Sequence, residues 1–418
     1  MDFAERMNVA QMTERDILLH PSSVAAGLQH LDGLVFFDSS GNFPDGVGEI
    51  ISIVAARPTQ ILRGDVSDVS LIEEVLAEYA AEPSDLPNGG LCGWIEYQGS
   101  YCFGVYPEML VYRHSSGQWY ERGSLSSDIL TTPTTPLLEI GEFLQSMGRR
   151  DYLQKVEIIK DYIAAGDIYQ VNLTQKFSAP VAGESAFGLY SHLRALSPAP
   201  HSSYMSLDGR EVLSSSPETF LRFDQDRVVT RPVKGTRPRF DDPSMDQRSA
   251  FELRTSEKEV SELVMITDLG RNDLGQVCDF GSVHVEALLK LEKFEHVYHL
   301  VSTVSGRLQK NGSQVRALQA CFPGGSITGA PKKRAMEIIE ELEELPRGLY
   351  TGAMGYFGFN GQSQFNIVIR TMVREGDQLH YHVGAGIVTD SIAESEYEET
   401  IHKAKGMRVA VEEYVRAK

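Results

Sequence analysis

The densest positive charge in an otherwise acidic chain lies between positions 227 and 239. Arg227, Arg231, Lys234, Arg237 and Arg239 fall there, while the 418-residue chain has a formal net charge of −19. Pro232 and Pro238 stiffen the backbone and disfavour helix at the residue before each. Gly235 permits a tight bend directly after Lys234. A lysine held in such a loop is a candidate nucleophile where neighbouring cations and partial burial keep it neutral. A basic surface loop is the plainer alternative, because exposed Lys and Arg are the norm.

Two pairs of glutamates are spaced for helices. Glu259 and Glu262 are three apart, as are Glu396 and Glu399, and residues i and i+3 share a helix face. Either pair alone fits a solvated helix face. Val260, Leu263, Val264 and Ile266 make the first helix apolar, which draws at least one of its glutamates toward buried surface. If the two helices face each other, four carboxylates converge, and they cannot all stay ionised without a cation. An all-oxygen set of this kind suits Mg²⁺ better than Zn²⁺. The histidines show no zinc spacing.

Two glycine-rich stretches are set aside. Gly324 to Gly329 has the G-x-x-x-x-G spacing of a phosphate loop, but Ala330-Pro331 replaces the required Lys-Ser/Thr. That loop leads into a helix with Pro331 at its first turn, whose free N–H groups suit some anion. Gly384-Ala385-Gly386 begins a dinucleotide fingerprint, but Thr389 stands in place of the third glycine.

The elements that must position these residues follow from periodicity. Residues 17 to about 122 read as strand-rich, with Gly33–Asp38, Glu49–Ala55 and a dense run from Cys92 to Tyr112. A helix is predicted over Leu71–Ala80, with Leu71, Val75, Leu76 and Tyr79 on its apolar stripe. No reaction centre is expected in this first third. Gly123 to Pro136 is polar and proline-punctuated, and reads as a linker. Asp151–Ala165 is amphipathic through Tyr152, Val156, Ile159 and Ile163, with Gly166 as its C-cap. Ile168 to Phe177 alternates strictly. Tyr169, Val171, Leu173 and Phe177 share one face; Gln170, Asn172, Thr174 and Lys176 share the other, which is either solvent-exposed or a cavity wall. One long helix is predicted over Arg248–Leu269, then mixed strand and loop over Leu274–Arg307. Helices follow at Gln314–Cys321, Pro331 to about Leu345 and about Ala393–Arg416, with strands between Tyr350 and Val388.

Bulk properties set the frame. A hydrophobic content of 42% with 23% charged residues is ordinary for a globular chain, and the length suggests about two to four domains or one large fold. The acidity argues against a general nucleic-acid binder. Cys92, Cys102, Cys278 and Cys321 form no C-x-x-C pair and read as buried thiols. Met1–Arg6 lacks a signal-peptide pattern and no apolar run is long enough to span a membrane, so a cytoplasmic location is expected.

Taken in order, these pieces resemble the chorismate-utilising enzymes. The stretches that carry the likeness are Ile168–Leu173, Ser216-Pro217-Glu218, Pro232–Arg239, and Glu259 through Leu263–Leu269 to Arg271-Asn272-Asp273. Pro323–Lys332, Tyr350–Ala353, Ile369-Arg370-Thr371, Gly384-Ala385-Gly386 and Ser395-Glu396 to Glu399-Thr400 continue it. The likeness covers roughly residues 150 to 410. It implies an α+β fold of two packed antiparallel sheets with helices outside. Residues 1–135 then form a strand-rich part of the same body, and 150–415 the chorismate-binding catalytic domain. It implies that Mg²⁺ binds the ring carboxylate of chorismate, with Glu262 and Glu399 as direct ligands and Glu259 and Glu396 acting through water. Arg370, Tyr350 and the backbone of Gly384, Ala385 and Gly386 would grip the enolpyruvyl carboxylate. Ser326, His299, Thr236 and Gln170 match further pocket positions.

Three positions select among reactions of that family. Enzymes that add water carry a lysine base where Gln170 stands, so hydration is disfavoured. Anthranilate synthases usually carry alanine at the position of Lys234, which implies amination to 4-amino-4-deoxychorismate through a covalent Lys234 adduct, with anthranilate formation as the alternative. Glu218 matches the general acid. The chain shows no glutaminase segment and no pyridoxal-dependent lyase segment. A separate glutamine amidotransferase subunit and a downstream lyase are therefore implied partners, on the route to 4-aminobenzoate and folate. The likeness weakens at Phe37-Asp38-Ser39-Ser40 and Gly46–Glu49, so the tryptophan pocket of relatives is not carried over.

Overall fold

Strict alternation from Gln170 onward builds the strand Gln170–Ala182, and both faces of it are put to use. In the computed structural model, residues 12–39, 50–134 and 136–417 are described; Met1–Arg6, Ser40, Gly46–Glu49 and Thr135 lie outside them. The chain forms an α+β fold of two antiparallel sheets, of thirteen and ten strands among the described residues, with helices on the outside. Gln170–Ala182 pairs with Gln378–Ile387 in the first sheet. Val233–Pro238 lies at one end of the second, against Val297–Arg307.

Both sheets contain strands from the two ends of the chain. Val35–Asp38 pairs with His201–Leu207 in the first, and Gly90–Ile95 with Ala353–Gly358 in the second. A shared core of Val35, Trp94, Tyr106, Met205 and Met354 fills the space between the sheets. The predicted linker is docked along this body: Leu125 is buried, and Leu130 N–H donates to the Gly27 carbonyl.

The helices follow their apolar stripes. Arg149–Ala165 buries Tyr152, Val156 and Ile159 and ends at Gly166 in the left-handed conformation with φ 83°, as a glycine C-cap permits. Gln314–Cys321 and Ala393–Arg416 have the predicted limits. On Ser70–Glu78 the predicted stripe holds at Val75, Leu76 and Tyr79, which pack on the core, but Ile72 takes the inward place expected of Leu71, which is 38% exposed. Tyr169 precedes its strand and is 72% exposed rather than sharing the buried face. Pro331 takes the N-cap position of Lys332–Leu342 rather than its first turn.

The predicted long helix is two. Pro243–Thr255 ends where Ser256 turns extended (ψ 109°), and Ser256 then caps Glu257–Gly275 by accepting from the Glu259 N–H. Periodicity carries through the break because both helices pack over the same strands with Leu253 and Leu263 in one core. The break puts Glu259 and Glu262 in the first turns of a helix, where the dipole favours carboxylates. Ser256→Ala should remove that cap and lower stability by about 1 kcal/mol, read as a lower urea midpoint with an unchanged slope.

Candidate active site

A cavity of about 580 Å³ opens between the end of the second sheet and the helices Glu257–Gly275 and Ala393–Arg416, within the size range of small-molecule sites. Among the described residues none before Asn172 lines it. Lys234, Glu218, Thr236, His299, Ser326, Tyr350, Arg370, Gly384 and Gly386 do, together with Glu259, Glu262 and Glu399. Three expected residues do not. Gln170 is fully buried behind the wall, with its Nε2 3.5 Å from Glu262 Oε2. Ala385 points into the core from its strand. Glu396 sits beneath the floor, accepting from Ser391 and Lys258 at 2.6 and 2.8 Å. The polar face of Gln170–Ala182 is thus a wall at Asn172 and Thr174 rather than a solvated surface.

Lys234 owes its aim to Gly235. The ladder with Val297–Arg307 shifts register between Lys234 and Thr236, leaving Gly235 as the extra residue with φ 73°. A β-carbon there would lie 2.6 Å from Leu253 Cδ1 and 3.1 Å from Glu259 Oε2, so only glycine fits. Lys234 Nζ stands 3.3 Å from Glu262 Oε2. The loop's arginines disperse. Arg237 faces the cavity 3.7 Å from Glu259, but Arg239 turns away to Asp246 and the Tyr298 ring. Arg231 pairs with buried Glu292, and Arg227 with Glu286. Of the loop's cations near the amine, Arg239 is therefore removed: Asp246 accepts two hydrogen bonds from it and holds it outside.

Glu218 has a different environment from the helix glutamates. Burial pushes its carboxyl up to about 7, against the opposing pull of a Ser326 hydrogen bond and the Lys234 charge. It is thus a carboxylic acid near neutrality, the state a proton donor needs. His299 is neutral, pulled down to about 3 by burial and then by the Arg370 charge. Its Nδ1 lies 3.2 Å from the Gly235 carbonyl and 3.1 Å from Thr236 Oγ1. A carbonyl only accepts, so Nδ1 carries the hydrogen and Nε2 is left as an acceptor.

Arg370 lines the same cavity, and no carboxylate pairs with it among the described residues. Burial lowers its pKa, which shows a cation held out of water without a counter-charge. Its φ of 50° and that of Thr351 at 62° are left-handed values that side chains rarely adopt, and such strain clusters at functional sites. Tyr350 is stacked on His382, with ring centres 5.2 Å apart and planes at 13°.

The four helix carboxylates each have a cation of the protein beside them. Glu259 faces Arg237, Glu262 faces Lys234, Glu396 faces Lys258 and Glu399 faces Lys403 at 2.7 Å. Burial, Glu262 and Glu399 raise the Glu259 carboxyl against the pull of Arg237, so charges from both helices meet at this floor. Burial works to raise Glu399 too, but Lys403 outweighs it and the net shift is downward. Among the described residues no group of three His, Cys, Asp or Glu is close enough to hold a metal as the side chains stand. The donor chemistry nonetheless fits a hard divalent cation: all are carboxylate oxygens, and the buried Glu396 Oε2 and Gln170 Oε1 have no hydrogen-bond partner.

Lys258, Lys403, His382 and Asn172 are cavity-lining groups that were not singled out as site residues. The Glu399/Lys403 spacing of four was the available signal. Nothing in the local pattern marked Arg347, which is 2% exposed and donates to Glu343, Ile327, Asn172 and Thr351 behind the cavity.

The sequence pattern of the chorismate binding enzymes matches residues 77–409, and the chain belongs to that family. It is 45% identical over 265 residues to anthranilate synthase component 1 1 of Haloarcula marismortui, covering 63% of this chain and 54% of that one. It is 44% identical over 272 residues to aminodeoxychorismate synthase component 1 of Bacillus subtilis, covering 65% and 58%. The chain thus spans little more than half the length of these relatives. The crystal structure of anthranilate synthase component I from Streptococcus pneumoniae superimposes with a TM-score of 0.74 at 28% identity, over 95% of this chain and 99% of that one.

The Glu218 environment gives a direct test. Infrared difference spectroscopy should show one protonated carboxyl titrating near pH 7, lost as pH rises and absent in Glu218→Gln. Between the ordinary carboxyl range and about 7 the folded state holds this extra proton, so stability should fall with rising pH across that window.

Proposed function

We propose that this protein aminates chorismate to 4-amino-4-deoxychorismate through a covalent adduct on Lys234, the reaction of an aminodeoxychorismate synthase component I. The observation that carries the proposal is that a lysine amine and a buried, neutral-range carboxylic acid line one cavity with a guanidinium that has no counter-charge. Arg370, Tyr350 and the backbone at Gly384 and Gly386 hold the enolpyruvyl carboxylate. The strained backbone at Arg370 fixes that grip before substrate arrives, which favours orientation.

Lys234 leaves Glu262, gives its ammonium proton to solvent and, as a free amine, bonds to C2. The allylic electron pair shifts, the C4–O bond breaks, and Glu218 gives its proton to the departing hydroxyl, which leaves as water. Ammonia then bonds to C4, the C2–N bond breaks, and its electron pair returns to the Lys234 amine. The sum is chorismate plus ammonia giving 4-amino-4-deoxychorismate plus water. Gln170 has no basic nitrogen, so no side chain at that position activates water against C2. Glu259, Glu262, Glu396 and Glu399 are the residues that would hold Mg²⁺, which when bound supplies positive charge to offset the substrate carboxylate.

Ammonia would come from a separate glutamine amidotransferase subunit, and a lyase would convert the product to 4-aminobenzoate for folate. A cytoplasmic enzyme fits four buried, unpaired cysteines. Among the described residues no helix is long and apolar enough to cross a membrane.

Anthranilate synthesis is the second reading, favoured by the names of most of the similar relatives. Incubation with chorismate, Mg²⁺ and ammonium separates the two. Anthranilate fluoresces directly, whereas the proposed product yields 4-aminobenzoate only after an aminodeoxychorismate lyase is added. With chorismate alone, mass spectrometry should find an adduct on Lys234. Lys234→Ala should lose the adduct and amination by about 10²-fold or more while still binding chorismate. Full activity in that variant would sink the covalent step.

A further inference from the structure

Glu218 faces two spaces. In front is the large cavity. Behind it is a narrow cleft of about 30 Å³, walled by Thr230, Gly270, Asp273, Leu274 and Gly325. Among the described residues only Glu218 and Ser326 line both. A water needs about 10–15 Å³ of such space and two or more polar partners. The cleft has room for about two waters, and Thr219, Thr230, Ser326 and Asp273 supply polar atoms along it. The helix Glu257–Gly275 forms one wall and half-buried Gly270 leaves it without a side chain.

The proton balance of the reaction gives that cleft a task. Glu218 begins each turnover as an acid and gives its proton to the departing hydroxyl. Ammonia arrives neutral and leaves as the ammonium of the product, while Lys234 recovers its free amine. Glu218 is therefore left as a carboxylate, and one proton per turnover must come from solvent. At that moment the front cavity is filled by the product.

We propose that the cleft behind Glu218, rather than the substrate cavity, is the path by which Glu218 exchanges its proton with solvent. The idea rests on Glu218 as the acid of the reaction above. The charged groups around Glu218 suit the path. Lys234 stands on the front side. On the cleft side Asp273 is buried and held by Lys332 at 2.8 Å, so its charge is matched and it does not compete with Glu218 for a free cation.

Gly270→Leu tests the path, because a β-carbon there would lie 3.3 Å from Thr230 Cγ2 and no part of Gly270 touches the substrate cavity. Replacing a helical glycine by leucine raises helix propensity, and Gly270→Ala adds a smaller plug if the larger one fails to fold. Transfer into D₂O of the protein with 4-amino-4-deoxychorismate filling the front cavity, followed by the infrared carboxyl band of Glu218, reads the exchange directly. We expect exchange to slow about tenfold in Gly270→Leu, with Gly270→Ala intermediate, and steady-state amination with ammonium to fall by a similar factor, on the scale of general acid catalysis. Chorismate affinity by calorimetry should be unchanged. A folded variant with wild-type exchange overturns the path. Wild-type protein that neither binds nor aminates chorismate overturns the proposed function instead.

Discussion

A buried guanidinium holds the candidate site together. Arg347 is 2% exposed and reaches five acceptor atoms: both Glu343 oxygens, the carbonyls of Ile327 and Asn172, and Thr351 Oγ1. It also lies over the Tyr97 ring. Taking such a cation out of water is tolerable only when every donor is matched. The acceptors come from three separate walls: the strand at Asn172, the loop carrying Ser326, and the turn carrying Tyr350 and Thr351. Satisfying Arg347 therefore fixes the mutual position of those walls, and with them the strained backbone at Thr351.

Charge is distributed by environment rather than by residue type. Five glutamates lie in or under this cavity, and burial drives Glu218 up to about 7 although a Ser326 hydrogen bond, the Lys234 charge and a backbone hydrogen bond pull the other way. The four helix glutamates instead sit beside Arg237, Lys234, Lys258 and Lys403. Neighbouring carboxyl groups whose surroundings push them apart are the usual division between a proton donor and an anionic floor. Arg370 lines the same cavity with no carboxylate beside it among the described residues.

Much of the fold was legible because its determinants are local. Gly166, the alternation after Ile168 and the stripe of Ala393–Arg416 all act within one or two turns of chain. The two helices at Pro243–Thr255 and Glu257–Gly275 read as one because their apolar periodicity is continuous, while the break depends on the conformation of Ser256 alone. Leu71 was misplaced for a related reason: a stripe fixes a helix face only to within a residue until the opposing core is known.

At the site, residue chemistry was legible and placement was not. Lys234 and the paired glutamates stand out by type and spacing, whereas Glu218 and Arg370 were singled out only through the motifs shared with a known family. Gln170 and Ala385 belong to the same motifs but lie behind the wall, and Arg239, in the same loop as Lys234, is drawn outward by Asp246. Their fates depend on contacts between segments far apart in the chain, and local pattern carries no record of these. The cation beside each carboxylate, the upward shift of Glu218 and the knot at Arg347 are of the same kind. Each is a balance of burial against a partner that arrives only when the two sheets and their helices have closed.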